Sequence, residues 1–273
     1  MNPKLQKLVL EVIGVCLSGL VVVPSLIVLI NSFKTEGEAS DMSISLPKVW
    51  HIVDNYSEVL KIGRIPSAFW NSVLITGSSV VLLILLCSTS AFVIQRRNSK
   101  FTKFLQVLLL SGMILPLSII ITYILLYNLH LTGGFLAVIL LYVATMYPVI
   151  GFLYIGFYNG ISREIDEAAI IDGTKGYGLF FRVIFPLLKP INATALVLGF
   201  VTVWNDFGIA LYFLNQASKY TLGLTVFFFA GEKSSQWNLI FADLIVVSIP
   251  VIIVYILAQR FIVSGLTAGA VKS

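Results

Sequence analysis

An amide and a carboxylate stand side by side at Asn205 and Asp206, in a stretch that is otherwise apolar. Both groups hydrogen-bond hydroxyl groups, and nearby aromatic rings could cover the C–H surfaces of a bound molecule. On a continuous helix, Asn205 and Tyr212 would share one side because they are seven residues apart. We therefore predict that Trp204, Asn205, Asp206 and Tyr212 are candidate solute-contacting residues. Hydrogen bonding of Asn205 and Asp206 to a neighbouring helix is the alternative.

Other groups with chemical potential are scattered along the chain. Glu11 and Asp243 also fall in apolar stretches, with no Lys or Arg inside those stretches to pair with them. Acidic groups at membrane depth are functional candidates, since an unpaired charge there is costly. Both residues lie near the ends of their stretches, where we expect them to reach interfacial water.

Catalytic and metal-binding residue types do not cluster. His51 and His130 are isolated, and neither Cys16 nor Cys87 has a cysteine or histidine partner at a metal-ligand spacing. No Ser/His/Asp set is visible in the apolar stretches. We therefore expect no metal site, no disulfide and no catalytic residues in this chain.

The composition is that of a membrane protein. The chain has 273 residues, of which 58% are hydrophobic and 11% charged, and its mean hydropathy is +0.96. Soluble domains carry about 25% charged residues, so a single soluble core does not account for this composition. Six apolar stretches are long enough to cross roughly 30 Å of hydrocarbon, and they lack the alternation of strands. Their approximate bounds are Leu8–Ile30, Asn71–Ile94, Phe104–Tyr127, Phe135–Tyr158, Ile191–Leu214 and Asn238–Ala258.

The sequence thus predicts an all-α polytopic membrane protein with one membrane domain of six transmembrane helices over residues 1–273. Pro24, Pro116, Pro148 and Pro250 fall inside four of these helices and are expected to kink them. With the N-terminus inside, twelve of the 18 Lys and Arg residues lie on inner segments and six on outer ones. This bias predicts that both termini are cytoplasmic.

The inner loop over residues 159–190 has an unusual pattern. Ser162 is a good N-cap, acidic residues follow in the first turn, and Gly173 is a typical helix end. Between them, Ile165, Ala168, Ala169 and Asp172 are spaced as one helical face, whose small residues permit close approach to another surface. A second helix follows, and its apolar residues Leu179, Phe180, Val183 and Ile184 are expected to lie against the membrane helices.

This loop resembles the EAA loop of ABC-importer permeases. Glu167-Ala168-Ala169, Gly173 and the ending Val183-x-Phe185-Pro186 have the spacing of the family pattern, with Val for Ile and Phe for Leu in the ending. The stretches "FWNSVLIT" from Phe69, "WNDF" from Trp204 and the tail "QRFIVSGLTAGAVKS" are similar to carbohydrate-uptake permeases of the maltose-transporter type.

The resemblance implies a type I permease fold and a role for two segments. Residues of the loop helix would couple to an ATPase by sitting in its cleft, and residues of the tail would contact the ATPases. The coupling residues are Glu167, Ala168, Ala169, Asp172 and Gly173, and the tail residues are Leu266, Thr267, Ala268 and Gly269.

The resemblance also implies partners. They are a second homologous permease chain, two cytoplasmic ATPase subunits that bind ATP and Mg, an extracytoplasmic solute-binding protein and membrane lipid, without nucleic acid. No Gly-x-x-x-x-Gly-Lys-Ser/Thr phosphate loop occurs here, so we expect no ATP hydrolysis and no cofactor in this chain. The expected function is the permease half of an ATP-driven sugar importer, in a bacterial plasma membrane. The alternatives are a permease for another solute, a stand-alone secondary carrier or a membrane enzyme.

Overall fold

The regular secondary structure of the part that the structure describes consists of helices. The computed structural model covers residues 3–97, 99–231 and 235–270, without the side chains of residues 3–6, 8, 16 and 257–270. Within these ranges no β-strand forms, apart from an isolated bridge between Ala230 and Ser235. The all-α prediction is therefore confirmed. The α-helices are α1 Pro3–Asn31, α2 Glu36–Ala39, α3 Ile52–Ile62, α4 Ile65–Arg96, α5 Lys100–Ile114, α6 Ile119–Asn128, α7 Phe135–Tyr158, α8 Glu164–Ile171, α9 Phe185–Leu187, α10 Lys189–Trp204, α11 Gly208–Phe213 and α12 Trp237–Ala270.

Four of the described helices are long and apolar enough to cross a membrane. They are the segments Val9–Asn31, Ile65–Arg96, Phe135–Tyr158 and Trp237–Ile256. Each contains or closely matches one of the predicted spans, since long uninterrupted apolar runs are helical in sequence and structure alike.

The predicted span Phe104–Tyr127 is wrong as a single helix. It is divided into α5 and α6, and the chain between Ile114 and Ile119 is not helical. Leu115 is extended (φ −78°, ψ 120°) because the ring of the following Pro116 disfavours helical backbone before it. At three other prolines the helix does not end, and α1, α7 and α12 each continue through the proline that they contain. The three prolines enclosed by helices are Pro24, Pro148 and Pro250.

The predicted span Ile191–Leu214 is also wrong as a single helix. α10 ends at Trp204, and α11 begins at Gly208. Before α10, the helical segments Leu179–Leu187 and Lys189–Trp204 meet at 74° and qualify together as one bent span. Counting that bent pair, the described residues contain up to five membrane-spanning candidates, so six spans remain a prediction.

The chain divides into two compact units. The first combines Met1–Ala68 with Leu224–Pro250, and the second combines Phe69–Gly223 with Val251–Ser273. A single domain over the whole chain therefore also remains a prediction.

The first unit is organised around buried polar groups. Lys34 is only 1% exposed, and its ammonium donates to Asn31 Oδ1 at 3.0 Å and to Ser43 O at 2.8 Å. Asn55 Nδ2 donates to Lys34 O at 2.9 Å, and Asn238 Nδ2 donates to Asn55 Oδ1 at 2.8 Å. These bonds fasten the end of α1 to α3 and to the start of α12.

The second unit holds a continuous apolar core. α7 lies against α5, α10 and α11, and Gly112 lets α5 approach the ring of Pro148. Two α7 hydroxyls fix its neighbours, because Tyr154 donates to Asn192 Oδ1 at 2.6 Å and Tyr158 donates to Ser88 O at 3.1 Å. α7 therefore connects α4 and α10, and its C-terminal end leads into the inner loop that begins at residue 159.

Candidate functional site

The loop between α7 and α10 carries a short helix with a defined end. α8 starts at Glu164, and its first backbone N–H donates to Ser162 Oγ at 3.2 Å, two residues before the helix. Its last turn ends at Asp172, after which Gly173 adopts φ +86°. Since residues with a side chain rarely adopt this conformation, the glycine is required for the sharp turn. The prediction that Gly173 ends this helix is confirmed.

The two faces of α8 differ from the prediction. Ala169 and Asp166 are buried within the chain, whereas Ala168, Ile165 and Asp172 are exposed. Consecutive residues of a helix are about 100° apart, so Ala168 and Ala169 cannot both lie at the centre of one face. The assignment of Ala169 to an outward docking face is therefore wrong.

The exposed side of α8 includes Glu167 and a residue that the sequence pattern did not single out. Ile171 is 84% exposed, and Tyr177 farther along the loop is 87% exposed. Large apolar side chains at such exposure, on a loop outside the spans, are candidates for contact with another protein.

An ion pair fixes the inner side of α8. Arg96, the last residue of α4, places Nε 2.5 Å from Asp166 Oδ2, and its Nη2 donates to Asp166 Oδ1 at 3.2 Å. The two side chains are only 13% and 12% exposed. Arg96 also donates through Nη1 and Nη2 to Ile161 O at 3.3 Å. Sequence reasoning gave Asp166 only a role in the helix dipole, because 70 residues separate it from its partner.

The segment after α8 packs against the membrane helices, as predicted. Leu179–Ile184 forms a π-helix in which Phe180 and Ile184 are buried. The Phe180 ring lies 5.5 Å from that of Phe92 on α4. The loop thus rests on α4 through a charged contact and an aromatic one.

Asp206 occupies the break between α10 and α11. Its Oδ2 accepts hydrogen bonds from the backbone N–H groups of Ile209 at 2.8 Å and Ala210 at 3.4 Å. The same oxygen accepts the hydroxyl of Tyr142 on α7 at 2.9 Å. A carboxylate at this position caps the free N–H groups at the start of α11. The structure therefore favours the alternative reading, in which Asp206 bonds to neighbouring helices.

The other three residues of the predicted solute contact are not brought together by one helix. Asn205 and Tyr212 are exposed but lie in different segments, because the helix stops between them. Their shared side on a continuous helix is therefore wrong. Trp204 is buried, stacks on Phe200 at 5.0 Å between ring centroids, and its Nε1 has no hydrogen-bond partner among the described residues.

The acidic residues near span ends have different surroundings. Glu11 is exposed and lies 3.9 Å from Lys7 Nζ, one turn earlier on α1. Asp243 is 1% exposed, and both of its oxygens lie 2.9 Å from the hydroxyl of Thr225, which donates to the carboxylate. The expectation that Asp243 reaches interfacial water is wrong, because the chain around Thr225 folds over it.

Two further expectations concern metals and the tail. Among the described residues, no group of three or more His, Cys, Asp or Glu side chains is arranged to hold a metal ion. The tail residues Leu266, Thr267, Ala268 and Gly269 lie in α12, outside the residues whose side chains the structure describes.

Several long apolar helices, together with a loop whose short helix α8 has one exposed side, define a multi-pass membrane protein. The chain belongs to the family described as "Binding-protein-dependent transport system inner membrane component", which matches residues 84–268. It is a permease subunit of an ABC importer, a transport system that works with an ATPase and a solute-binding protein. The predicted family membership is confirmed.

The chain has relatives of almost its own length. It is 33% identical over 268 residues to the probable starch degradation products transport system permease protein AmyC of Thermoanaerobacterium thermosulfurigenes, covering 98% of this chain and 97% of the relative. It is 33% identical over 254 residues to the melibiose/raffinose/stachyose import permease protein MelC of Bacillus subtilis, covering 92% and 91%.

A solved structure has the same fold. The structure of a bacterial ABC transporter involved in the import of the acidic polysaccharide alginate contains a chain with a TM-score of 0.82 to this protein. The two chains are 20% identical, and the match covers 94% of this chain and 96% of the other. The type I permease fold expected from the sequence is thereby confirmed.

The bonding of Asp206 generates a prediction that separates structure from solute binding. Asp206→Ala removes the cap of α11 and the Tyr142 contact, and should lower the free energy of unfolding by about 1–2 kcal/mol. Asp206→Asn retains an acceptor oxygen and should lose less. The measurement is thermal unfolding of the purified complex in detergent, with Tyr142→Phe as the control that removes only the hydroxyl. Unchanged stability with loss of transport in Asp206→Ala would instead make this residue a solute contact.

Proposed function

We propose that this chain is one of two permease subunits of an oligosaccharide importer and forms half of its translocation path. The observation that carries the proposal is near-full-length similarity to permeases named for starch degradation products and for melibiose, raffinose and stachyose. The resemblance of the sequence to six-helix permeases of the maltose-transporter type supports the same class of solute.

The exposed side of α8 is the proposed coupling surface. Glu167 and Ala168 point away from the chain, and Gly173 turns the backbone sharply after them. A small residue beside a carboxylate on a projecting helix suits insertion into a cleft of an ATPase. Asp172 is exposed on this side too, whereas Ala169 supports the helix from within.

The remaining partners follow from the same proposal. A second homologous permease completes the path, two cytoplasmic ATPases bind ATP and Mg, and this chain carries no cofactor. The tail residues are proposed to reach the ATPases. In the path, Asn205 and Tyr212 are the proposed solute contacts, because both are exposed next to the break, and Asp206 and Trp204 would hold that break in place.

Orientation is proposed with both termini in the cytoplasm of a bacterium, from the bias of Lys and Arg to inner segments. Asp172 and Asp41 are both exposed and would lie on opposite sides of the membrane. With a membrane-impermeant maleimide added to intact cells, Asp41→Cys should be labelled and Asp172→Cys should be labelled only after lysis. The unsubstituted chain serves as the reference for labelling of Cys16 and Cys87. The reverse labelling pattern would refute the orientation.

Transport in liposomes tests the function directly. The complete complex, with ATP inside and the binding protein on the other side, should take up labelled starch- or raffinose-type oligosaccharides. ATP hydrolysis should rise when loaded binding protein is added. A complex that hydrolyses ATP but accumulates none of a panel of mono- and oligosaccharides would argue for another solute, and uptake by this chain alone would argue for a secondary carrier.

The coupling surface predicts a specific defect. Ala168→Trp places a large ring on the exposed side of α8, where it should overpack the ATPase cleft at about 1–3 kcal/mol. ATPase retention during purification and oligosaccharide uptake should both fall, while the second permease is retained. Glu36→Trp, at an exposed site of α2, is the matched control and should leave both at the unsubstituted level. Full ATPase retention and uptake in Ala168→Trp would show that α8 is an ordinary connecting helix.

A further inference from the structure

One helix of the second unit contacts the coupling loop at one end and the break around Asp206 at the other. α4 is a single helix from Ile65 to Arg96 with no proline in its interior. Its side chains that contact the loop include Phe92, beside Phe180, and Arg96, beside Asp166, and these two residues lie on one face because they are four apart. α4 is thus one continuous helix that contacts both candidate site regions.

At the loop end, α4 holds both sides of the coupling loop. Arg96 binds Asp166 of α8 through the largely buried ion pair and binds the carbonyl of Ile161, which precedes α8. In the other direction, Arg163 Nη2 donates to the carbonyl of Gln95 at 3.1 Å. Two guanidinium groups therefore cross between the end of α4 and the start of α8. The loop also packs on α4 through apolar contacts such as that between Phe180 and Phe92, which are less directional than a charged hydrogen bond.

At its other end, α4 holds the segment that follows α11. Asn71 Nδ2 donates to the carbonyls of Ser218 and Tyr220, both at 3.0 Å, and Ser72 Oγ accepts the N–H of Leu222 at 2.9 Å. The next residue along that segment, Gly223, lies beside Asp206, since an added Cβ there would be 3.8 Å from Asp206 O. The segment that α4 holds is therefore in contact with the break.

The same end of α4 also reaches the far side of the break. The Phe69 ring lies 6.1 Å from that of Trp204, the last residue of α10, at an edge-to-face angle of 72°. From Asn71 to Arg96 the helix covers about 37 Å at 1.5 Å per residue. A rigid helix of this length can carry a small displacement between its ends without a change in its own hydrogen bonds.

We infer that Arg96 is a positioning residue that locks the coupling helix to α4 through Asp166, so that movement of α8 reaches the break at Asn205–Phe207. The inference rests on the proposed function and adds to it the path by which ATPase movement reaches the proposed solute contacts. Without the ion pair, α8 would still dock on the ATPase through its exposed side. Its movement would then deform the loop and would not displace α4.

A double-mutant cycle on the reconstituted importer tests the role of the Arg96–Asp166 ion pair. Arg96→Gln, Asp166→Asn and the combined variant are compared for ATPase retention, ATP hydrolysis and solute uptake. Each single variant should retain the ATPase and hydrolyse ATP, but should take up roughly tenfold less solute per ATP, a typical coupling between distant sites. The combined variant should be no worse than either single one, because both remove the same interaction. Arg96→Lys keeps the charge and should recover part of the ratio.

Control variants distinguish loss of the Arg96–Asp166 ion pair from loss of a nearby charge. Arg97→Gln and Glu164→Gln change exposed neighbours of the same types and should leave uptake per ATP unchanged. An unchanged ratio in Arg96→Gln and Asp166→Asn, or additive losses in the combined variant, would overturn the inference while leaving the proposed function intact. Loss of ATPase retention in both single variants would also overturn it, since the pair would then serve docking. Failure of the unsubstituted complex to take up any solute would instead count against the proposed function.

Discussion

Hydrocarbon offers no hydrogen-bond partners, so wherever a membrane helix is interrupted, the chain itself must satisfy the groups that the break exposes. The break between α10 and α11 shows how this is done. Asp206 accepts two backbone N–H groups of α11 and the hydroxyl of Tyr142, and its charge is spread over three donors. The carboxylate that looks most like a binding group in the sequence is thus first of all a structural one. Exposed polar groups are left beside it, and they are the better candidates to meet a solute.

A similar demand applies to two other buried polar groups of the described chain. Asp243 is closed off from solvent and accepts the hydroxyl of Thr225, and the ammonium of Lys34 is surrounded by neutral oxygens. Removing one partner of such a group leaves the other buried without a hydrogen bond, which is more costly than the bond itself is stabilising. These groups therefore help to fix how the ends of the helices are joined within the first unit.

The proposed coupling loop has one exposed side and one side that is buried within its own subunit. Ala168 and Glu167 face outward, while Ala169 and Asp166 face the membrane helices. In the proposed function, the exposed side receives force from an ATPase and the buried side passes it to the rest of the subunit. α8 has only eight residues, and the proposal needs it to move as one body between these two contacts.

The sequence by itself determined the class of protein and the position of the loop. Hydropathy is a sum over single residues, so the long apolar helices could be located without knowledge of how they pack. The turn at Gly173 depends only on local backbone conformation. The resemblance carried by Glu167–Gly173 also lies within one short segment, and the family match agrees with it.

Only the tertiary structure decided which polar groups are free to bind. Asp206 meets Tyr142 from 64 residues away, and Arg96 meets Asp166 from 70 residues away. No spacing along the chain encodes such pairs, because they depend on how helices pack rather than on the period of one helix. The breaks after Leu115 and Trp204 are local events, yet a proline inside α7 or α12 leaves the helix continuous. A proline by itself therefore does not decide whether a membrane helix stops, because neighbouring helices can satisfy the backbone groups that it frees.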